Sequence, residues 1–165
     1  PFAYEQQPKT SLRAMAQILQ TRLRDIMRED LGCTYGVGVS TNYGWQPFEK
    51  YSLTIGYGSD PERAEELVNV VFAEIEKLKE APPEESEVAD VRENLSRTLE
   101  TSLESNSYWM NQLSQYYRLG VSPASMLQYP PSIDALTPKM IQDAARLYLD
   151  TDNYLRMTLL PVGQY

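Results

Sequence analysis

The stretch that decides the fold covers residues 28–40 and reads Arg28-Glu29-Asp30-Leu31-Gly32-Cys33-Thr34-Tyr35-Gly36-Val37-Gly38-Val39-Ser40. Its beginning is typical of the last turn of a helix, and Gly32 stands where a helix C′ residue takes positive φ without a Cβ penalty. Beyond it, large and small side chains alternate, which predicts a β-strand. Tyr35, Val37 and Val39 share the bulky face. The opposite face is nearly bare, so another backbone can approach it closely.

The composition is that of one acidic unit of 165 residues, 42% of them hydrophobic, with a formal net charge of −8. That hydrophobic content is enough for a packed core, either as a single domain or as one lobe of a larger protein. Nucleic acids and anionic membranes bind clustered positive charge, so the acidic balance argues against both as partners. No apolar run approaches the length of a membrane span, and no signal-peptide pattern is present. Because the sequence begins at Pro1, we expect it to be part of a longer chain.

Histidine is absent from the sequence, and Cys33 is its single cysteine. The absence of histidine excludes histidine-ligated zinc, a Ser-His-Asp triad and a Cys-His pair within this chain. One cysteine excludes an internal disulfide, and a small turn or core residue is a simpler interpretation of Cys33 than a reactive thiol.

Helical periodicity precedes the strand. Thr10 or Ser11 is expected to cap the helix, and residues 1–10 are expected to be a leader or the end of an upstream element. The predicted buried stripe is spaced three and four residues apart: Leu12, Met15, Ala16, Leu19, Leu23, Ile26 and Met27. Arg28 lies off that stripe, on the flank that also carries Gln17, Thr21 and Arg24.

A second strand follows a turn at residues 42–47, and it too has one large and one small face. Its large face carries Tyr51, Leu53, Ile55 and Tyr57, and the two strands are predicted to pair as a hairpin. Five helical stretches of varied length follow. Cap signals begin three of them, at Asp60-Pro61, Ser122-Pro123 and Thr137-Pro138. Residues 129–131 are expected to close the short stretch that begins at Ser122-Pro123. Residues 154–161 are predicted to be a closing strand.

This order of elements has no regular βα alternation. It predicts an α+β fold in which an antiparallel sheet packs against several helices, as a single lobe over residues 1–165. Three strands make a small sheet for so many helices, so further strands are expected before residue 1, which would make this a lobe truncated at its N-terminus.

Arg28 and Tyr35 are the candidates for chemistry. Each has a structural explanation: a cation in the last turn of a helix is favoured by the helix dipole, and an aromatic residue packs well on a strand. Together, however, they offer a forked cationic donor and a phenolic donor to the carbonyl oxygens of a peptide beside the strand. Neither is a base or a nucleophile in that arrangement, so they would position substrate and stabilise developing negative charge.

Other polar and aromatic clusters have simpler interpretations. The helical acids are expected to form solvated faces: Glu65, Glu66, Glu74, Glu76, Glu93, Glu100 and Glu104. Asp150-Thr151-Asp152-Asn153 lacks the glycine and the bidentate glutamate of a calcium loop and is interpreted as a turn. The aromatic residues between positions 108 and 117 are expected to be core or lobe interface.

The run Leu23-Arg24-Asp25-Ile26-Met27-Arg28-Glu29-Asp30-Leu31-Gly32-Cys33-Thr34-Tyr35-Gly36 resembles the C-terminal, zinc-free half of the pitrilysin/insulin-degrading-enzyme (insulinase) family of inverted-zincin metallopeptidases. The shared features are an arginine, an acidic pair, Leu-Gly and a tyrosine seven positions after the arginine. Leu103-Glu104-Ser105 and Ile133-Asp134-Ala135-Leu136-Thr137-Pro138 fit the same lobe, so the resemblance covers nearly the whole chain from Ser11 to Pro161.

The resemblance implies a metallohydrolase lobe of the insulinase/processing-peptidase type that closes with other lobes around a peptide. In such enzymes one half carries zinc on an H-x-x-E-H motif, and the opposite half holds substrate carbonyls with an arginine and a tyrosine, which here are Arg28 and Tyr35. This chain would hold no metal or cofactor and be inactive alone. Zinc would come from a complementary half, in the same chain or as a partner subunit, and relatives favour a periplasmic or cell-envelope setting.

Two further interpretations stay open at this point. One is a non-catalytic scaffold or assembly subunit of the same fold, which has no need of the arginine–tyrosine pair. The other is a peptide-binding lobe in a parent protein that performs no proteolysis.

Overall fold

The computed structural model describes residues 4–30 and 34–159, with backbone alone at Glu29, Asp30, Thr34 and Tyr35. These residues form six α-helices and two β-strands: α1 (Gln6–Arg24), β1 (Thr34–Gly44), β2 (Lys50–Ser59), α2 (Ala64–Glu80), α3 (Glu85–Leu103), α4 (Asn106–Leu119), α5 (Tyr129–Asp134) and α6 (Pro138–Tyr148). A π-helical segment, Asp25–Asp30, continues α1, and short 3-10 turns cover Pro61–Arg63 and Pro123–Gln128. The prediction of an α+β fold, with an antiparallel sheet packed against several helices, is confirmed.

The two strands form the predicted antiparallel hairpin, in which Val39 lies opposite Ile55 and Gly38 opposite Gly56. Val37 and Val39 are half-buried against the core, whereas Gly36, Gly38 and Ser40 are exposed. The hairpin therefore has the predicted large inner face and small outer face. Its register shifts between Thr34 and Val37, where three steps along β1 match two along β2.

Helix α1 is the centre of the lobe, because β1, α2, α3, α5 and α6 all pack against it. Its predicted apolar stripe is buried: Leu12, Met15, Leu19, Leu23 and Met27 are fully inaccessible to solvent. Helix α6 adds Ile141, Ala144, Ala145 and Tyr148 to this core, as its period predicts. One continuous hydrophobic core thus joins the hairpin and the helices.

The predicted caps position the later helices. Asp60 accepts a hydrogen bond from the Glu62 backbone N–H at 3.1 Å, and Thr137 accepts one from Met140 at 3.3 Å. Ser122 caps the turn that begins at Pro123 in the same way. Gly120 ends α4 with φ of 67°, a left-handed conformation that glycine adopts without a Cβ penalty.

The first helix begins earlier than its hydroxyl residues suggest. Thr10 and Ser11 were the expected caps, but α1 starts at Gln6, inside the stretch expected to be a leader, and both hydroxyl residues are buried within it. The Thr10 hydroxyl donates to the Gln6 carbonyl at 3.0 Å and lies 2.7 Å from the Ser132 hydroxyl of α5. The Thr10 hydroxyl is thus bonded inside the helix and to α5, and neither hydroxyl residue stands at the start of α1, so capping is not their role.

Two further expectations need correction. The turn that begins at Pro123 does end at Gln128, but residues 129–131 were expected only to close it, and they also begin α5, because proline is tolerated in the first turn of a helix. The closing strand is not formed over its described part, residues 154–159, where Leu155, Met157 and Leu159 are largely exposed. A strand needs a hydrogen-bonded neighbour, and within the described residues β1 and β2 pair with each other alone.

Glu74 differs from the expectation that the helical acidic residues are solvated, because its side chain is buried and the residue is only 4% exposed. Its carboxylate accepts hydrogen bonds from Arg22 of α1 at 3.2 Å and from Lys77 at 3.1 Å. Arg22 also makes a two-pronged contact with Glu87 of α3, at 2.7 and 2.8 Å. This ion cluster, Arg22–Glu74–Glu87, ties α1, α2 and α3 together.

The ion cluster makes a prediction about acid stability. The hydrogen bonds from Arg22 lower the pKa of Glu87 below its usual value. Because the folded-state pKa lies below that of the unfolded chain, this contribution is complete above the unfolded pKa and is lost as pH falls through the folded value. We expect the urea concentration at the unfolding midpoint to decrease as the pH is lowered from about 5 to about 3.

The Glu87→Gln variant should lose part of that acid dependence, since it has no carboxylate to protonate. Glu93→Gln is the matched control, because Glu93 forms an exposed pair with Arg97 on the same helix. An acid slope of Glu87→Gln equal to that of the parent protein would contradict the assignment.

Candidate functional site

Arg28 lies in the π-helical segment Asp25–Asp30, which packs against β1. The neighbouring Met27 is fully buried, whereas Arg28 is exposed. Short π-helical stretches occur often at functional sites, since the wider turn changes the direction of the side chains that follow. The sequence predicts a helix end here but gives no sign of the π-helical turn.

Tyr35 is the second residue of β1, across the gap at residues 31–33 from Arg28. Its side chain lies outside the described residues, so the predicted contact between the two side chains stays a prediction. The backbone places Tyr35 within the register shift between Thr34 and Val37. Such bulges redirect side chains and are frequent next to functional sites.

Arg28 and its neighbour Arg24 differ in whether a carboxylate pairs with them. Arg24 pairs with Asp25 at 3.2 Å. No carboxylate lies within ion-pair distance of Arg28 among the side chains that the structure describes. Arg28 is exposed, and the forked donors of a guanidinium match carbonyl and carboxylate oxygens.

Arg28 extends a row of polar side chains along α1, which we call the polar face: Arg13, Gln17, Gln20, Arg24 and Arg28. Positions 13, 17, 20 and 24 fall on one side of a helix with 3.6 residues per turn. Gln20 Oε1 accepts the Val39 backbone N–H of β1 at 2.9 Å, and Gln17 Nε2 donates to Asn94 Oδ1 of α3 at 3.3 Å. The polar face therefore runs between β1 on one side and α3 on the other.

Gln20 also determines which backbone N–H groups at the edge of β1 are open to a ligand. In an antiparallel pair, alternate residues direct their N–H groups away from the partner strand, where an added strand would bind. The Val39 N–H is taken by Gln20, so this donor is not open to an extended peptide. A peptide beside β1 would therefore lack this donor at Val39.

The other end of the polar face is rich in phenols, which sequence reasoning did not place there. Arg13 donates to the Tyr129 hydroxyl at 3.0 Å. Burial raises the pKa of Tyr129 and of Tyr108, and the nearby charge of Arg13 partly offsets the rise in both. Tyr108 and Tyr116 of α4 are half-buried, whereas Trp109 and Tyr117 are exposed, so α4 adds no fully buried residue to the core, and the alternative of a lobe interface stays a prediction.

The outer face of the hairpin is free of the lobe's own packing. A Cβ added at Gly36, Gly56 or Gly58 would meet nothing within 4 Å, and at Gly38 it would only touch the Gly56 carbonyl at 4.0 Å. None of these glycines has positive φ. Glycine in a strand interior costs stability, and neither neighbouring atoms nor backbone conformation explains it here.

The residues of this chain do not fit a zinc centre. The sequence contains no histidine, and within residues 4–30 and 34–159 no three acidic or cysteine side chains come together as a metal site would require. Likewise, no helix in these ranges is long and apolar enough to cross a membrane. The chemistry available at the site is hydrogen bonding and charge from Arg28, Arg13 and the phenols.

Comparison with known proteins shows the family to which the chain belongs. The family model described as the peptidase M16 inactive domain matches residues 4–95. A curated relative, a zinc protease PQQL-like protein of Arabidopsis thaliana, is 22% identical over 109 residues, which are 63% of this chain and 11% of that protein.

Two solved structures show the same fold. The periplasmic protease PqqL from Escherichia coli superposes with a TM-score of 0.73 at 21% identity, covering 88% of this chain and 16% of that one. The inactive peptidase domain of a zinc protease from Bordetella parapertussis gives 0.76 at 16% identity, covering 100% and 90%. This chain thus spans only a small part of the Arabidopsis protein and of PqqL. The family model covers more than half of the chain, and the chain therefore belongs to the peptidase M16 inactive domain family.

Proposed function

We propose that this chain is the substrate-binding, non-metal half of a zinc-dependent endopeptidase, in which Arg28 and Tyr35 bind backbone carbonyl oxygens of a peptide. The observation that carries the proposal is the exposed Arg28 guanidinium, which has no carboxylate partner among the described side chains and lies on a π-helical turn against β1. A zinc-bearing half, in the same chain or as a partner subunit, would hold the metal, which would supply activation of water for peptide-bond hydrolysis.

The division of labour follows from the residue types. A guanidinium and a phenol donate hydrogen bonds but have no role as base or nucleophile at neutral pH. Donors that are fixed before the reaction stabilise the negative charge that develops on a carbonyl oxygen in the transition state. Closure of two halves around the peptide would exclude water and strengthen that interaction.

The peptide need not add a long strand to the hairpin. In this proposal the bound peptide lies over the polar face of α1 and does not pair with β1 at Val39, whose N–H is bonded to Gln20. The bare outer face of the hairpin would leave room for substrate side chains. Backbone contacts of this kind tolerate varied sequences, which suits a peptidase acting on many peptides.

Replacement of Arg28 by lysine tests the forked donor. In the peptidase that contains this chain and its zinc-bearing half, we expect Arg28→Lys to lower kcat/KM about tenfold, because lysine keeps the charge but loses the planar fork. Arg63→Lys is the matched control: Arg63 lies outside the polar face and already pairs with Glu66, so its replacement should leave kcat/KM unchanged.

Equal kcat/KM values for Arg28→Lys and the parent enzyme would overturn the role of the fork. Absence of any peptidase activity in the complete protein, with an intact fold, would favour the alternative, a scaffold or peptide-binding relative. For the location we propose the periplasm or cell envelope, supported by the description of PqqL as a periplasmic protease. Cell fractionation with an antibody against this chain checks it.

A further inference from the structure

We propose that Arg13 and the phenols around it form an anion subsite that receives a carboxylate of the bound peptide, about six residues from the carbonyl held by Arg28. The inference rests on the proposed function, since it takes the peptide to lie along the polar face of α1. It adds a positional preference for an acidic residue, or for the C-terminal carboxylate, to an otherwise tolerant site.

The charge distribution is the first argument. The chain is strongly acidic overall, and most arginines with described partners are paired with carboxylates, as in Arg22–Glu87, Arg63–Glu66 and Arg156–Glu65. Arg13 contacts the Tyr129 hydroxyl, and no carboxylate pairs with it in the described part of the chain. A half-buried guanidinium in an acidic protein, held by a phenol and lacking a counter-ion, suits an anion brought by a ligand.

The surroundings of Arg13 are the second argument. Tyr129 is half-buried against the core, and its hydroxyl holds the Arg13 guanidinium at 3.0 Å. The charge of Arg13 also lowers the pKa of Tyr108 of α4, which opposes the rise caused by burial. Phenols donate hydrogen bonds to a carboxylate, and partial burial strengthens the attraction between its charge and a guanidinium.

Continuity with Arg28 is the third argument. The polar face links the two arginines along α1, and its middle residues are hydrogen-bonded to neighbouring elements, Gln20 to β1 and Gln17 to α3. Fifteen residues of helix separate Arg13 from Arg28, a length of about 20 Å. An extended peptide rises about 3.3 Å per residue, so this length corresponds to about six of its residues.

The test is a scan of peptide substrates with the complete peptidase. Each peptide carries one aspartate, moved one position at a time along both sides of the scissile bond, on an otherwise neutral sequence. We expect kcat/KM to peak, about tenfold above the asparagine analogue, with aspartate five to seven residues from the scissile bond on one side. The peak should shrink as salt rises from about 0.05 to 0.5 M, because screening weakens an accessible ion pair.

Arg13→Gln should bring kcat/KM for the aspartate peptide down to that for its asparagine analogue, whereas Arg13→Lys should retain the peak. Arg24→Gln, on the same face but paired with Asp25, should also retain it. A flat scan, a peak insensitive to salt, or a peak that persists in Arg13→Gln would overturn the subsite. If Arg13→Gln fails to fold, the scan and its salt dependence in the parent enzyme decide the question.

The two proposals fail in different ways. If Arg28 and Tyr35 have no role, their variants hydrolyse every peptide at the parent rate. If only the Arg13 subsite is wrong, those variants lose activity on all peptides alike, and the aspartate scan is flat.

Discussion

We expect Tyr35→Phe to lower kcat of the complete peptidase about 10²–10³-fold, the usual loss when one donor to a developing oxyanion is removed. The substitution keeps the aromatic ring on β1 and deletes only the hydroxyl. The free energy of unfolding should therefore change by no more than about 0.5 kcal/mol. Turnover on a peptide of good affinity and urea unfolding of the same preparation measure the two quantities together.

A double-mutant cycle strengthens this test. If Arg28 and Tyr35 act on the same substrate carbonyl group, the loss in the Arg28→Ala/Tyr35→Phe protein should be smaller than the product of the two single losses. Unchanged turnover in Tyr35→Phe would remove the tyrosine from the site. A loss of turnover that matches a loss of stability would indicate a packing role instead.

The second large effect concerns the core. Leu19→Ala should destabilise the lobe by roughly 2–5 kcal/mol, because Leu19 is fully buried on α1, the helix against which the other layers pack. For a chain of this size such a loss lowers Tm by about 5–15 °C. Calorimetry or thermal unfolding followed by circular dichroism measures it.

Thr21→Ala is the matched control for the core prediction, since Thr21 is exposed two residues away on the same helix. Its effect should stay within about 0.5 kcal/mol. A Tm of Leu19→Ala equal to that of the parent would mean that the apolar stripe of α1 is not the core face.

Local patterns in the sequence predicted most of the elements, because each pattern reflects forces that act within a few residues. The alternation on either side of the turn expected at residues 42–47 predicted the hairpin and its inner face, which the pairing of Val39 with Ile55 confirms. The turn itself is shifted, because β1 continues to Gly44 and β2 begins at Lys50. Asp60, Ser122 and Thr137 predicted where their helical segments begin, because a cap side chain bonds to a backbone N–H two or three residues away. Glu74 was misjudged although it lies between Val71, Ile75 and Leu78 on a buried stripe, a signal that was present in the spacing.

The sequence by itself determined the hairpin, the buried stripe of α1, the family resemblance and the candidate pair Arg28 and Tyr35. Only the tertiary structure decided that Thr10 is an internal hydroxyl, that Arg28 lies on a π-helical turn, and that Arg13 meets Tyr129. The reason is that these features depend on neighbours far away in sequence: Ser132 and Tyr129 are more than 100 residues from their partners on α1. Helical periodicity tells which side of α1 a residue is on, but packing alone determines what lies opposite.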